Sequence, residues 1–475
     1  MVAKAQFITD LLKSLKVKYQ ELLDDAIEFY QEYETLYGVY AKEKRRIREI
    51  EHQLTTIQNY KEKHGIYPQI KDQPDAEAYL KELDKLKLRA ETDLRKVEPE
   101  VVKGFDRRST MLTSISRKIA VMMMEDKDAS QFITTMMLRA PLPNDHTRCP
   151  TNEKNKPLYI AALSACLVKR LIKNSGLEAA LGSDYITSRF PTKVEIENGV
   201  KEYNQEQTEV YINEVLTPII TASLIHNIGS YSPDAEAIYQ GNRYQVLEEE
   251  ERKVLIKAIH DNTDNYLKYG IGKPSHADFE EPELYQKAVD KYQLIAAILD
   301  GYSQSLDPHG NLLRVPMIYS SFMMSTKQKH DFRVSFKAFE ILKGGVEKGV
   351  VHKEFGEEFL RMVGRYPLGT GIFFISRETK MPERAVVTGL NPPKTSSAIV
   401  KQLTRRQVKF DDHTQVCASK GYIISNEEAR RDSDFGTEYY KKQFAKGFFW
   451  NPAEPWERDI DHQKFWRRDN NIKSN

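Results

Sequence analysis

The sequence predicts a mainly α-helical chain of several units, with a small β unit near its C-terminal end. Three observations carry this. Residues 7–63 contain no proline and a single glycine, Gly38, while apolar and aromatic side chains recur every three or four positions. Apolar runs of helical length continue through residues 158–345. Past residue 364 the texture changes to short β-type runs, GTGIFFIS at 369–376 and RAVVTGL at 384–390, separated by the turn-like RETKMPE.

A length of 475 residues exceeds one ordinary core and implies two to four units. We divide the chain into long amphipathic, coiled-coil-like helices (1–110), a helix and connector (111–157, the connector at 141–157), a helical domain (158–363), a small β unit (364–425) and an aromatic, polar tail (426–475) that packs back on the body. In the first unit the break HGIYPQIKDQPD at 64–75 separates two helical stretches, so an antiparallel hairpin or a coiled-coil dimer is expected. A protein partner or a second copy of the chain would then dock through these helices. Tyr30, Tyr33, Tyr37 and Tyr40 suit either a helix–helix seam or a partner-binding stripe. The basic run at Lys42, Lys44, Arg45, Arg46 and Arg48 is interrupted by acidic residues and reads as a solvated helix face. The runs QVKF at 407–410 and GYIIS at 421–425 are expected to add two strands to the β unit.

Composition narrows the function classes. The net charge is only +2, so no DNA partner is expected from the overall field. The three cysteines are scattered, which fits a reducing compartment, and the cytoplasm is the expected location. The most apolar stretch, 210–229, carries seven polar or charged residues and predicts no membrane insertion. The start of the chain lacks the features of a signal peptide. His146 and Cys149 have metal-like spacing but no second pair near them. A local basic cluster at Lys401, Arg405, Arg406 and Lys409 is read as an exposed β face. No P-loop, dinucleotide fingerprint or nucleophile elbow is present.

The strongest chemical signal lies in ASLIHNIGSY at 222–231, where an apolar helix ends in His226-Asn227-Ile228-Gly229. It resembles the His-Asp-Ile-Gly signature of HD-type phosphohydrolases. Four further segments resemble the HD-GYP branch of that superfamily, in the same order. LEEEERKVLIKAIH at 247–260 ends in a histidine like the family's next ligand, His260. LIAAILDGYSQSL at 294–306 presents Asp300 where the family has its last aspartate, and FKAFEILKGG at 336–345 looks like the helix that follows. VGRYPLGTGIFFIS at 363–376 is similar to the opening of the β appendage behind many such domains. The likeness spans roughly residues 150–400 and implies an HD-type helical bundle, followed by that appendage.

The resemblance implies a cyclic di-GMP phosphodiesterase, in which two or three transition metals activate a bridging water. Three departures argue against that activity here. Asn227 stands where the family has its metal-bridging aspartate, and a neutral amide does not offset metal–metal repulsion. The segment NKPLYIAALSACLVKRLI at 155–172 has no histidine where the family has its upstream ligand, and Lys156 stands near that place. The His-His-Glu and Gly-Tyr-Pro signatures are missing. His226, Asn227, His260 and Asp300 are therefore vestigial metal-site candidates, with no intact catalytic set. Lys156, Asp261, Asp264 and His276 are further pocket candidates. The expectation is a signalling scaffold or cyclic dinucleotide sensor with no cofactor, or at most one weakly held Fe or Mn. The rival is an active metal-dependent phosphodiesterase in which Asp261, Asp264 or His276 fills the vacated positions.

Overall fold

The computed structural model describes residues 7–70, 75–142, 146–174, 176–195, 201–377, 379–403, 416–458 and 465–466. The chain opens with α1, Ile8–Glu32, which passes through a five-residue π turn, Tyr33–Tyr37, into α2, Gly38–His64. Gly65 closes α2 in the left-handed conformation, with φ at 71°. After the connector, Asp75 caps α3, Ala76–Met124, by accepting from the amides of Glu77 and Ala78.

α2 and α3 form an antiparallel hairpin within one chain. Lys44 pairs with Glu98, Lys87 with Glu51, and the Tyr79 hydroxyl reaches Gln53, so the partner number falls as the other rises. Ile50, Ile57 and Leu83 give the arm a small core of its own. The basic run is a solvated face, with Arg45 against Glu49 and Arg46 against Glu43.

Two expected boundaries move. α3 runs unbroken through residue 110 and carries Pro99 inside it, on an exposed face. The connector expected at 141–157 is helical from Arg148, because α5, Arg148–Asn174, takes Pro157 within its length. Between them lies α4, Asp126–Leu138. α5 is buried along most of its surface and is the axis of the helical body. After α6, Leu177–Leu181, comes a short hairpin of β1, Lys193–Glu195, and β2, Lys201–Tyr203. α7, Gln205–Tyr211, continues through a π turn, Ile212–Leu216, into α8, Thr217–Ile225, which is buried all round against α5. Then follow α9, Pro233–Tyr239, α10, Glu249–Asn265, α11, Pro282–Gly301, α12, Pro308–Met323, α13, Ala338–Glu347, and α14, Lys353–Val363.

The tyrosines of α1 face inward. Tyr19 donates to the carbonyl of Leu224 in α8, and Tyr30 donates to the carbonyl of Asn262 in α10. The stripe is therefore a seam that ties the N-terminal helix to the central bundle. Beside it Asp25 holds the buried guanidinium of Arg108, which also donates to the Gly270 carbonyl and lies over the rings of Phe29 and Tyr37.

The β unit is a five-stranded antiparallel sheet. It comprises β3, Gly371–Ile375, β4, Pro382–Gly389, β5, Ala398–Leu403, β6, Val416–Ala418, and β7, Phe449–Trp450, in the order β6-β5-β4-β3-β7. β3 and β4 are the runs expected from sequence. GYIIS is not a strand: Lys420–Tyr422 is a 3-10 turn, and Ile423 makes a single bridge to Phe374. QVKF lies outside the described residues. The last strand comes from the segment set apart as the tail. Lys401 is buried rather than on an exposed face, and its ammonium lies over the rings of Phe465 and Trp466. Arg405, Arg406 and Lys409 fall outside the described residues. Three short helices, α15, Glu427–Arg431, α16, Thr437–Gln443, and α17, Ala453–Arg458, follow β6 among the described residues, and Trp456 of α17 is fully buried against Leu138 and Val386.

Candidate functional site

α8 ends at His226 because the chain turns there. Asn227 leaves the helical conformation and Ile228–Tyr231 forms a 3-10 turn. Gly229 explains the tightness of that turn. A Cβ on it would lie 2.1 Å from the carbonyl oxygen of Ile259, and its own amide donates to the Thr263 hydroxyl at 3.1 Å. Only glycine lets the turn touch α10 this closely. The contact sets His226 at the end of α8 and His260 on α10 into one wall.

That wall faces a cavity of about 800 Å³, bounded by α5, α9, α10 and α12 and by the turn after α11. Lys156, His226, Asn227, His260 and Asp261 all line it, so five of the sequence candidates converge. Three do not. Asp300 is exposed on α11, where Leu294, Ile298, Leu299 and Gly301 are the buried positions, and it is not among the residues that line the cavity. Asp264 pairs with Lys268 one helical turn along. His276 packs against Tyr285, with ring centroids 5.1 Å apart. Tyr302, two residues beyond Asp300, takes the place facing the cavity. Its ring lies 6.3 Å from that of His260, roughly stacked, and 6.4 Å from that of His226.

His226 is buried, and its Nδ1 lies 2.7 Å from the Ser223 carbonyl. A carbonyl only accepts, so Nδ1 carries the proton and Nε2 keeps its lone pair. Burial holds the imidazole neutral, pulling its pKa down to about 4, and the nearby Lys156 charge acts in the same direction. The Asn227 amide donates to the Ser230 hydroxyl at 3.3 Å. Lys156 donates to the Ser321 hydroxyl at 3.2 Å and has no carboxylate partner among the described residues. Burial pulls its pKa down to about 8.

The sequence reading missed the rest of the lining. Glu153, one turn before Lys156 on α5, accepts from the Tyr244 hydroxyl at 2.7 Å and pairs with Arg243 at 3.0 Å. Arg243 lies over the ring of Tyr231 at 4.1 Å. Arg314 donates to the carbonyls of Tyr302, Ser303 and Val350. Reading 141–157 as a connector hid the helical i, i+3 spacing of Glu153 and Lys156, which would have placed both on one face.

The lining carries five cations (Lys156, Arg243, Lys253, Lys257, Arg314) against two carboxylates, Glu153 and Asp261. Arg243 and Lys253 are balanced by acidic neighbours, whereas Lys156, Lys257 and Arg314 have no carboxylate partner among the described residues. The donor set does not fit a metal cluster. Among the described residues no three His, Cys, Asp or Glu side chains are grouped to hold a metal ion, and the wall beside His226 presents the Lys156 ammonium and the Asn227 amide, neither of which is an anionic or imidazole donor. The surplus of positive charge suits an anion instead. Comparison with protein-family models, with curated proteins and with solved structures gives no match.

Proposed function

We propose that the chain is a bacterial signalling protein whose HD-GYP-like bundle binds a phosphate-bearing ligand, with a cyclic dinucleotide as the leading candidate, and does not hydrolyse it by the metal route. One observation carries the reading: the cavity that gathers His226, Asn227 and His260 also holds three cations without carboxylate partners, while Asp300 is not among its lining residues. Phosphate oxygens answer those cations through charge-assisted hydrogen bonds. Tyr239, Tyr244 and Tyr302 supply aromatic surface on the same walls. The α2–α3 hairpin projects as an arm, and a protein partner or second copy docks along it. Among the described residues no helix is long and apolar enough to cross a membrane.

The test is titration calorimetry with cyclic di-GMP, with and without a chelator, alongside an assay for the linear product. Saturable heat that the chelator leaves unchanged, with no product, is the expected result. Turnover that needs added Mn or Fe overturns the reading in favour of the metal-dependent phosphodiesterase. Absence of heat leaves the HD-like bundle as a packing module of an adaptor.

A further inference from the structure

A second, smaller cavity of about 50 Å³ lies where α5, the end of α12, the start of β3 and the segment after β7 meet. Arg148 and Asn152, one turn apart on α5, both line it and are 1% and 3% exposed. Two nitrogens of Arg148 are satisfied, donating to the carbonyls of Ser325 at 2.8 Å and Gln328 at 2.6 Å. Its Nε–H has no partner, and neither has the side-chain oxygen of Asn152, whose amide nitrogen donates to Ser325 at 3.0 Å. No ion pair reaches Arg148 among the described residues. His330, on the same wall, is kept from protonating by its own burial and then by the Arg148 charge.

A buried guanidinium without a counter-charge is costly, because carbonyls satisfy hydrogen bonds but carry only partial charge. A water molecule would bridge the two unpartnered atoms and leave the charge unbalanced. We infer that this cavity is a binding site for a small oxyanion that keeps one proton, of the hydrogencarbonate or hydrogenphosphate class. Its charged oxygen accepts from Arg148 Nε–H, and its O–H donates to Asn152 Oδ1. At roughly 10–15 Å³ for each water, the space matches an oxyanion of about four or five heavy atoms. The site is separate from the large cavity, and its occupant fastens the β unit and the segment after β7 to the helical body.

The full chain is tested by thermal unfolding at constant ionic strength in chloride, hydrogencarbonate and phosphate. A saturable rise in Tm at millimolar hydrogencarbonate or phosphate, absent with chloride, is expected, since chloride has no O–H for Asn152. Asn152→Asp places a carboxylate one helical turn from Arg148 and supplies the missing charge from within. This variant should fold and lose the anion dependence, whereas Arg148→Met removes the site at the risk of the fold. The inference is overturned by wild-type Tm values that are equal in all three salts, which means that water alone fills the cavity. It is also overturned by an Asn152→Asp variant that keeps the full shift, which means that the anion binds elsewhere.

Discussion

Replacing His226 with glutamine tests the electrostatics of the larger cavity. In the folded chain the imidazole titrates near 4, below its ordinary value of 6.5, because burial, helped by the nearby Lys156 charge, outweighs the hydrogen bond to the Ser223 carbonyl, which by itself raises the value. The unfolded chain therefore binds a proton in a pH range where the folded chain does not, and stability rises with pH across that range. The contribution is fully present above about pH 6.5 and is lost as the pH falls towards 4. At about 1.36 kcal/mol per pH unit, lowering the pH from 7 to 5 removes about 2 kcal/mol, and about 3 kcal/mol is gone near pH 4. Urea unfolding followed by circular dichroism at pH 7 and at pH 5 measures the loss. His226→Gln should shed about 2 kcal/mol less than wild type over that interval, because the carboxylates that also titrate are common to both proteins. Equal pH sensitivity in the two chains would refute the buried neutral imidazole, and with it the free Nε2 lone pair facing the cavity.

Lys156 titrates near 8, so binding of cyclic di-GMP should take up a proton, and its affinity should fall about tenfold between pH 7 and pH 9; calorimetry in buffers of different ionisation heat reads both effects. Combining Lys156→His with Asn227→Asp places an imidazole and a carboxylate on the wall beside His226, and elemental analysis of the purified protein should then find more bound Fe or Mn than in wild type. Removing Asp25 strands the buried Arg108, so Asp25→Ala should cost about 3–5 kcal/mol by denaturant unfolding. Gly229→Ala drives a methyl into the Ile259 carbonyl and should cost at least about 1–3 kcal/mol, with weaker ligand binding because α8 and α10 are pushed apart.

Much of the helical fold was legible because periodicity is local. The amphipathic spacing of α1 and α2, the glycine at the end of α2 and the runs that became β3 and β4 all follow from neighbours in the chain. His226, Asn227, His260 and Lys156 were singled out by comparing residue types and order along the chain, and the structure sets all four on the walls of one cavity. What failed was mostly what proline seemed to forbid. Pro99 and Pro157 both sit inside helices, and treating the second as a connector concealed Glu153 as a wall of the cavity.

Sequence alone determined the mainly helical class, the inward-facing apolar faces and the residue types, His226, Asn227 and Lys156 among them, that the cavity wall would carry. Only the tertiary structure decided which charges meet. Asp300 and Tyr302 are two positions apart, yet the packing of α11 sends the carboxylate to solvent and the ring to the cavity. Likewise Lys156, Lys257 and Arg314 come from three separate helices, and their common lack of acidic partners is a property of how those helices pack. The physical reason is range: backbone preference acts over a few residues, whereas the field within a cavity sums charges from every element that faces it.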